Sequence, residues 1–175
     1  IGNLSTHSYK LTLLALLEFY TYNFDSALKH WEAIFSDLKD YELLAYFFCL
    51  FKMGQHVKYQ KMLLAVNFEN ENNCVIYLIK LMFNSLTNSK HFDLDIIESA
   101  SQKITEKQKK DYLWDFILAE IFYAKNNLSD SFHHLEQFEQ YSKNPIRRFL
   151  IAQISAKMGK WNKVSNQINA LKIPT

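Results

Sequence analysis

The chain has 175 residues, 49% of them hydrophobic, which suffices for one sizeable core and places it in the range of one domain or one compact array. Two prolines and three glycines are too few for a turn-rich all-β protein, so long helices with short connections are favoured. Twenty Lys and Arg stand against eighteen Asp and Glu, a net charge of +2 with no long single-sign block, a poor footprint for direct contact with nucleic acid.

Targeting and redox signals are equally quiet. Every apolar run is interrupted before it reaches the roughly 18 residues that span a bilayer, and no basic start followed by an apolar stretch marks a signal peptide. Cys49 and Cys74 lie inside apolar runs, FFCLF and CVIYLI, where a free thiol packs as a small hydrophobe, so a reducing, cytoplasmic setting is expected. Ile1 in place of Met suggests a piece of a longer protein. Asn3-Leu4-Ser5 and Asn127-Leu128-Ser129 have the form of glycosylation sites, but such triplets arise by chance in an Asn-rich chain.

In chain order, Tyr9 to Tyr22 carries Leu11, Leu14, Ala15 and Phe19 at helical spacing before Asn23-Phe24-Asp25 interrupts. Phe24, Ala27, Trp31, Ile34 and Phe35 form the stripe of a second helix, and Ser36 to Asp40 reads as a polar connector. Tyr41 to Met53 is apolar nearly all round and therefore predicts a buried helix. Gly54 supplies a helix stop, and His56, Tyr59, Leu63 and Val66 form the next stripe. Asn67 to Asn73 reads as a loop. Cys74 to Leu86 predicts a helix, followed by a long turn from Thr87 to Phe92 and a short helix around Ile96, Ile97, Ala100 and Ile104.

Thr105 to Gln108 has the form of a helix start, with Lys107, Lys109 and Lys110 beside it as a solvated rim. Trp114, Leu118, Ala119 and Phe122 make one stripe; Leu128, Ser131, Leu135 and Phe138 make the next, across Asn126-Asn127. After Pro145, Ile151, Ala152 and Ser155 are expected to face Trp161, Val164, Ile168 and Leu171 across Gly159-Lys160, and Pro174 ends the chain.

Phe24, His56, Phe92, Leu128 and Trp161 each supply the first large side chain of a second helix, at separations of 32, 36, 36 and 33 residues. The mean, close to 34, is the period of a two-helix repeat. With Ala15, Ala27, Ala119, Ser131 and Ala152 at small-residue sites, Gly54 and Gly159 at the turn-glycine site, and Phe24 and Trp161 at the aromatic site after the turn, the chain resembles a degenerate tetratricopeptide-repeat array. It departs from that family's pattern at Phe47 and Asp95, which stand at small-residue sites, and in nearly lacking the proline that closes each repeat. Another helical-hairpin solenoid or an irregular bundle would tolerate these departures.

The resemblance implies an all-α fold, a right-handed superhelical array of about five antiparallel helix pairs spanning residues 1–175 as a single domain. First helices would line a concave groove, which makes binding of a protein or peptide the default function. The alignment places Tyr9, Thr12, Leu16, Tyr20, Leu44, Phe48, Lys52, Tyr77, Lys80, Asn84, Asn88, Phe116, Glu120, Tyr123, Phe149, Gln153 and Lys157 toward that groove. Of these, Tyr20, Lys52, Tyr77, Lys80, Asn84, Asn88, Tyr123 and Lys157 are the candidate peptide contacts, since Tyr offers apolar area with a hydroxyl and Lys and Asn offer donors. Lys80 and Asn84 match two positions of the family's carboxylate clamp for chaperone tails; Phe116, Glu120, Phe149 and Gln153 do not complete it.

No catalytic motif, cofactor site or metal site is expected. Adjacent His133 and His134 point about 100° apart on a helix, and the spacing of a zinc pair is missing. The 27 aromatic residues fall mostly on apolar stripes, so core packing is favoured over base stacking. Two functional classes follow: a non-catalytic interaction scaffold, or an accessory or regulatory domain of a larger enzyme or transcriptional regulator. Homodimerisation through an exposed apolar end helix is compatible with either.

Overall fold

The structure is a computed structural model in which residues 6–66, 73–87, 94–139 and 145–170 are described. Among them are eleven α-helices, one short 3-10 turn and no strand, so the chain is all-α as its composition and periodicity predict. It divides between Ile104 and Thr105 into two compact units.

The first unit contains α1 (Thr6–Tyr20), α2 (Phe24–Glu32), the 3-10 turn Phe35–Asp37, α3 (Asp40–Lys52), α4 (His56–Ala65), α5 (Asn73–Thr87) and α6 (Leu94–Gln102). Its centre is α3, in which every residue from Leu43 to Phe51 is buried. A helix with the sequence LLAYFFCLF has no polar face to keep in water, so it is stable only when neighbours surround it. α1, α2, α4 and α5 all pack on it, and α4 packs on α5 in turn. The stretch read as a polar connector also feeds this core, because Leu38 just after the 3-10 turn is buried.

The second unit contains α7 (Glu106–Asp111), α8 (Trp114–Ala124), α9 (Leu128–Glu139), α10 (Pro145–Lys157) and α11 (Trp161–Ala170). Each packs on the next in sequence: α7 on α8, α8 on α9, α9 on α10 and α10 on α11. Ala119, Phe132, Leu135, Ile151 and Ile154 form a buried cluster, with Phe116, Tyr123 and Met158 against it. The expected start at Thr105 is a capping box: its hydroxyl accepts from the Gln108 N–H at 3.3 Å, and its own N–H donates to Gln108 Oε1 at 3.0 Å. That helix stops early, since Leu113 at φ 54 breaks the path before α8. α7 is thus an element additional to the expected helix pairs.

Four corners between helices share one construction. Tyr22, Gly54, Asn126 and Gly159 all adopt left-handed backbone, at φ 62, 64, 58 and 70. In each, that residue's N–H donates three residues back and the next N–H donates five back, as in Gly54 to Phe51 O at 3.0 Å and Gln55 to Leu50 O at 3.0 Å. Asn126 and Asn127 repeat the pattern onto Tyr123 O and Phe122 O, and Gly159 and Lys160 repeat it onto Ala156 O and Ser155 O. These paired bonds satisfy the orphan carbonyls of the first helix, while the second helix begins two residues past the left-handed position, at Phe24, His56, Leu128 and Trp161. Those are four of the five corner residues expected from the sequence; the fifth, Phe92, lies outside the described residues.

Gly54 isolates the backbone contribution, because a Cβ there would meet nothing within 4 Å. Gly54→Ala is expected to lower stability by about 1–2 kcal/mol through the left-handed conformation alone. An unchanged urea midpoint would contradict that reading.

Aligned on these corners, the first helices place Ala15, Phe47, Ala119 and Ala152 seven residues before the left-handed residue, and the second helices place Ala27, Tyr59, Ser131 and Val164 five residues after it. Where both are small, the backbones come close enough for Ser131 Oγ to donate to Ala119 O at 2.7 Å. Where both are large, the Phe47 and Tyr59 rings sit 4.7 Å apart at 50°, and the Tyr59 hydroxyl reaches across to donate to Ile79 O on α5 at 2.7 Å.

Candidate partner-binding surface

In the first unit, α5 shows how a surface position is defined. Between Cys74 and Leu86 only Lys80 is exposed, with Tyr77 and Asn84 half-buried on the same face at spacings of three and four residues. The structure therefore brings Tyr77, Lys80 and Asn84 onto one side of α5. Tyr20, at the end of α1, is 49% exposed, and its hydroxyl shares a 2.9 Å hydrogen bond with that of Tyr41 at the start of α3. Tyr41 is a partner that sequence reasoning missed; burial, then this hydrogen bond, pushes its hydroxyl pKa up. Lys52 is exposed at the end of α3. Asn88 lies outside the described residues.

In the second unit, Tyr123 on α8 and Lys157 on α10 meet directly, the Lys157 ammonium lying 4.2 Å from the centre of the Tyr123 ring. Phe116 and Tyr123 are half-buried against the unit's core, whereas Gln153 and Lys157 are exposed. The result is a cationic, hydrogen-bonding rim over an aromatic floor.

Other groove assignments need correction. Thr12, Leu44, Phe48 and Glu120 are at most 9% exposed, so they support the surface from beneath instead of presenting side chains on it. For Phe48 the reason is a shell of rings, Phe19, Phe24 and Phe51, each with its centroid within 6.3 Å. The side chain of Phe149 is not described. The stripe expected on α11 needs correction at two positions: Val164 is half-buried, but Trp161 is 65% and Ile168 52% exposed, and Gln167 is buried instead, while Leu171 lies outside the described residues.

The residues weighed for chemistry have ordinary structural partners. His134 Nδ1 lies 2.9 Å from Asp115 Oδ1, and its ring stacks on Phe122 with centroids 5.4 Å apart. Glu136 pairs with Lys163. No group of three His, Cys, Asp or Glu able to hold a metal occurs among the described residues. Lys109 pairs with Glu106 at 2.8 Å, within the basic rim. Cys49 and Cys74 are buried free thiols, and burial alone pushes the Cys49 thiol pKa well up. Asn127 caps α9, its amide donating to Asp130 Oδ2 at 2.8 Å and its carbonyl accepting the Asp130 N–H at 3.3 Å. No helix among the described residues is long and apolar enough to cross a membrane.

No protein-family model, curated protein or solved structure matches the chain.

Proposed function

We propose that this chain is a tetratricopeptide-like helical-repeat scaffold, an α-solenoid without chemistry of its own, that binds an extended or helical peptide of a protein partner on its first-helix side. The observation that carries the reading is a periodic exposed position. Two residues before each left-handed corner stand Tyr20, Lys52, Ala124 and Lys157, all exposed at the ends of first helices; on α3 and α8 the preceding turn is largely buried. Second helices packing on the next first helix, as α2 on α3, α4 on α5 and α9 on α10, give the succession that a helical-hairpin array requires. Tyr20, Lys52 and Lys157 at such positions, with Lys80 and Asn84 on the face of α5, suit a peptide backbone and its carboxylates, because they combine apolar area with donors. Two buried free thiols favour a reducing, cytoplasmic setting.

The test is selection of peptides from a displayed random library on the immobilised protein, followed by titration calorimetry of the enriched sequence. Lys80→Glu in the first unit or Tyr123→Ala in the second is expected to weaken that peptide about tenfold, equivalent to about 1.4 kcal/mol. Ser129→Glu, on the exposed outer side of α9, is expected to leave binding unchanged. Unaltered affinity in both groove variants, or no enriched peptide at all, would defeat the proposal.

A further inference from the structure

Lys157, Lys160 and Lys163 follow one another at three-residue spacing through the corner between α10 and α11, and the ammonium group of each lies on an aromatic ring of α8 or α9. Lys157 takes Tyr123. Lys160 and Lys163 share the ring of Phe132, with Nζ 4.3 and 4.2 Å from its centre. The negative face of a ring attracts a cation and restricts where it stands, so these ammonium groups are set in place before any ligand arrives.

The corner lacks the carboxylates that would neutralise them. Glu136 pairs with Lys163, whereas Lys157 and Lys160 are exposed and make no ion pair among the described residues. Glu120, one turn before Tyr123, is 4% exposed and presents no acceptor at the surface. Like charges gathered in this way repel one another, and an arriving anion relieves the repulsion. Phe132 is 5% exposed, so its ring serves the lysines and offers no stacking face to a nucleobase.

We infer that this corner is a docking site for an acidic segment of a protein partner, a run of Glu or Asp whose carboxylates take Lys157 and Lys160 and share Lys163 with Glu136. Lys157 stands on a ring of α8 and Lys160 on a ring of α9, which suits successive carboxylates better than one compact anion. The site is made by contacts among α8, α9, α10 and α11. It goes beyond the first-helix groove, because Lys160, Lys163 and Phe132 belong to the second-helix side of the corner, and it shares only Lys157 and Tyr123 with that groove.

The experiment is fluorescence anisotropy of the full chain at low salt with two labelled probes, a Gly-Ser peptide carrying four successive Glu and the same peptide carrying four Gln. The Glu probe is expected to bind and to weaken with added salt, and the Gln probe to bind at least about tenfold more weakly. Lys160→Gln is expected to weaken the Glu probe about fivefold, the upper range for one exposed ion pair. Lys107→Gln removes equal charge from the exposed rim of α7 and is expected to change affinity by less than about twofold. Glu136→Gln frees Lys163 and is expected to tighten the Glu probe about threefold, a gain that general disruption of the corner would not give. Circular dichroism verifies the fold of each variant. Equal binding of the two probes, equal losses from Lys160→Gln and Lys107→Gln, or unchanged or weaker binding in Glu136→Gln would each overturn the inference. So would Lys160-dependent binding to phosphatidylserine vesicles by a protein that ignores the Glu probe. A protein that binds a selected groove peptide but not the Glu probe defeats this inference alone and leaves the groove reading standing.

Discussion

Phe47→Ala is expected to destabilise the first unit by roughly 3–5 kcal/mol, the range for deleting a large aromatic side chain that leaves a cavity. Phe47 is fully buried, contacts Tyr46 with centroids 5.5 Å apart and Tyr59 at 4.7 Å, and fills the corner position at which α1, α8 and α10 carry alanine. α3 and α4 are therefore held apart by a pair of rings, and truncating one leaves a gap that the backbone can close only by moving a helix also packed on α5. The Tyr59 hydroxyl bond to Ile79 O resists that movement, because closing the gap would pull the ring away from α5. Urea unfolding followed through the buried Trp31 provides the measurement, with the midpoint expected to fall. A loss below about 1 kcal/mol would mean that α4 collapses onto α3 at the spacing of the other pairs.

The reverse change in the second unit is expected to cost about as much. Ala119→Phe places a ring where the Ser131 hydroxyl already sits 2.7 Å from the Ala119 carbonyl, with both residues fully buried. Overpacking contributes about 1–3 kcal/mol, and displacing the Ser131 hydroxyl from its acceptor adds about 1–3 kcal/mol, a total of about 2–6 kcal/mol. The buried Trp114 reports on this unit. Ser131→Ala separates the two contributions, since it removes the hydrogen bond without adding volume and is expected to cost only about 0.5–1.5 kcal/mol. If Ala119→Phe were tolerated at native stability, the close approach of α8 and α9 would not be what holds this corner. The same register position thus demands a large residue in one pair and a small one in another, because each is matched to its own second helix.

That pairing explains why some features could be read from the amino acids and others could not. The corners were legible because their chemistry is local: Gly54, Gly159 and Asn126 suit left-handed backbone, and the apolar stripe restarts two residues later at His56, Trp161 and Leu128. Tyr22 does the same with no such signal of its own, and its corner was located by the Asn23-Phe24-Asp25 interruption and the stripe beginning at Phe24. The capping box at Thr105 was legible for the same local reason, whereas the left-handed Leu113 that ends the following turn was not, because no residue there announces a break. Tyr123 and Lys157 could be assigned to one surface by register, but their contact at 4.2 Å is a property of two packed helices.

By itself, the sequence determined the all-α class, the positions at which four second helices start and the burial of α3 on every side, since each follows from periodicity, apolar content and short-range backbone preference. Only the tertiary structure decided which apolar residues are covered. Leu17 and Ile121 share a register position, as do Ile168 and Leu135, yet the first of each pair is exposed and the second buried. Glu120, expected at a surface, lies buried beside the core of its unit. Periodicity states which side of a helix seeks a neighbour, but burial requires that the neighbour be present, and this depends on residues far away in the chain.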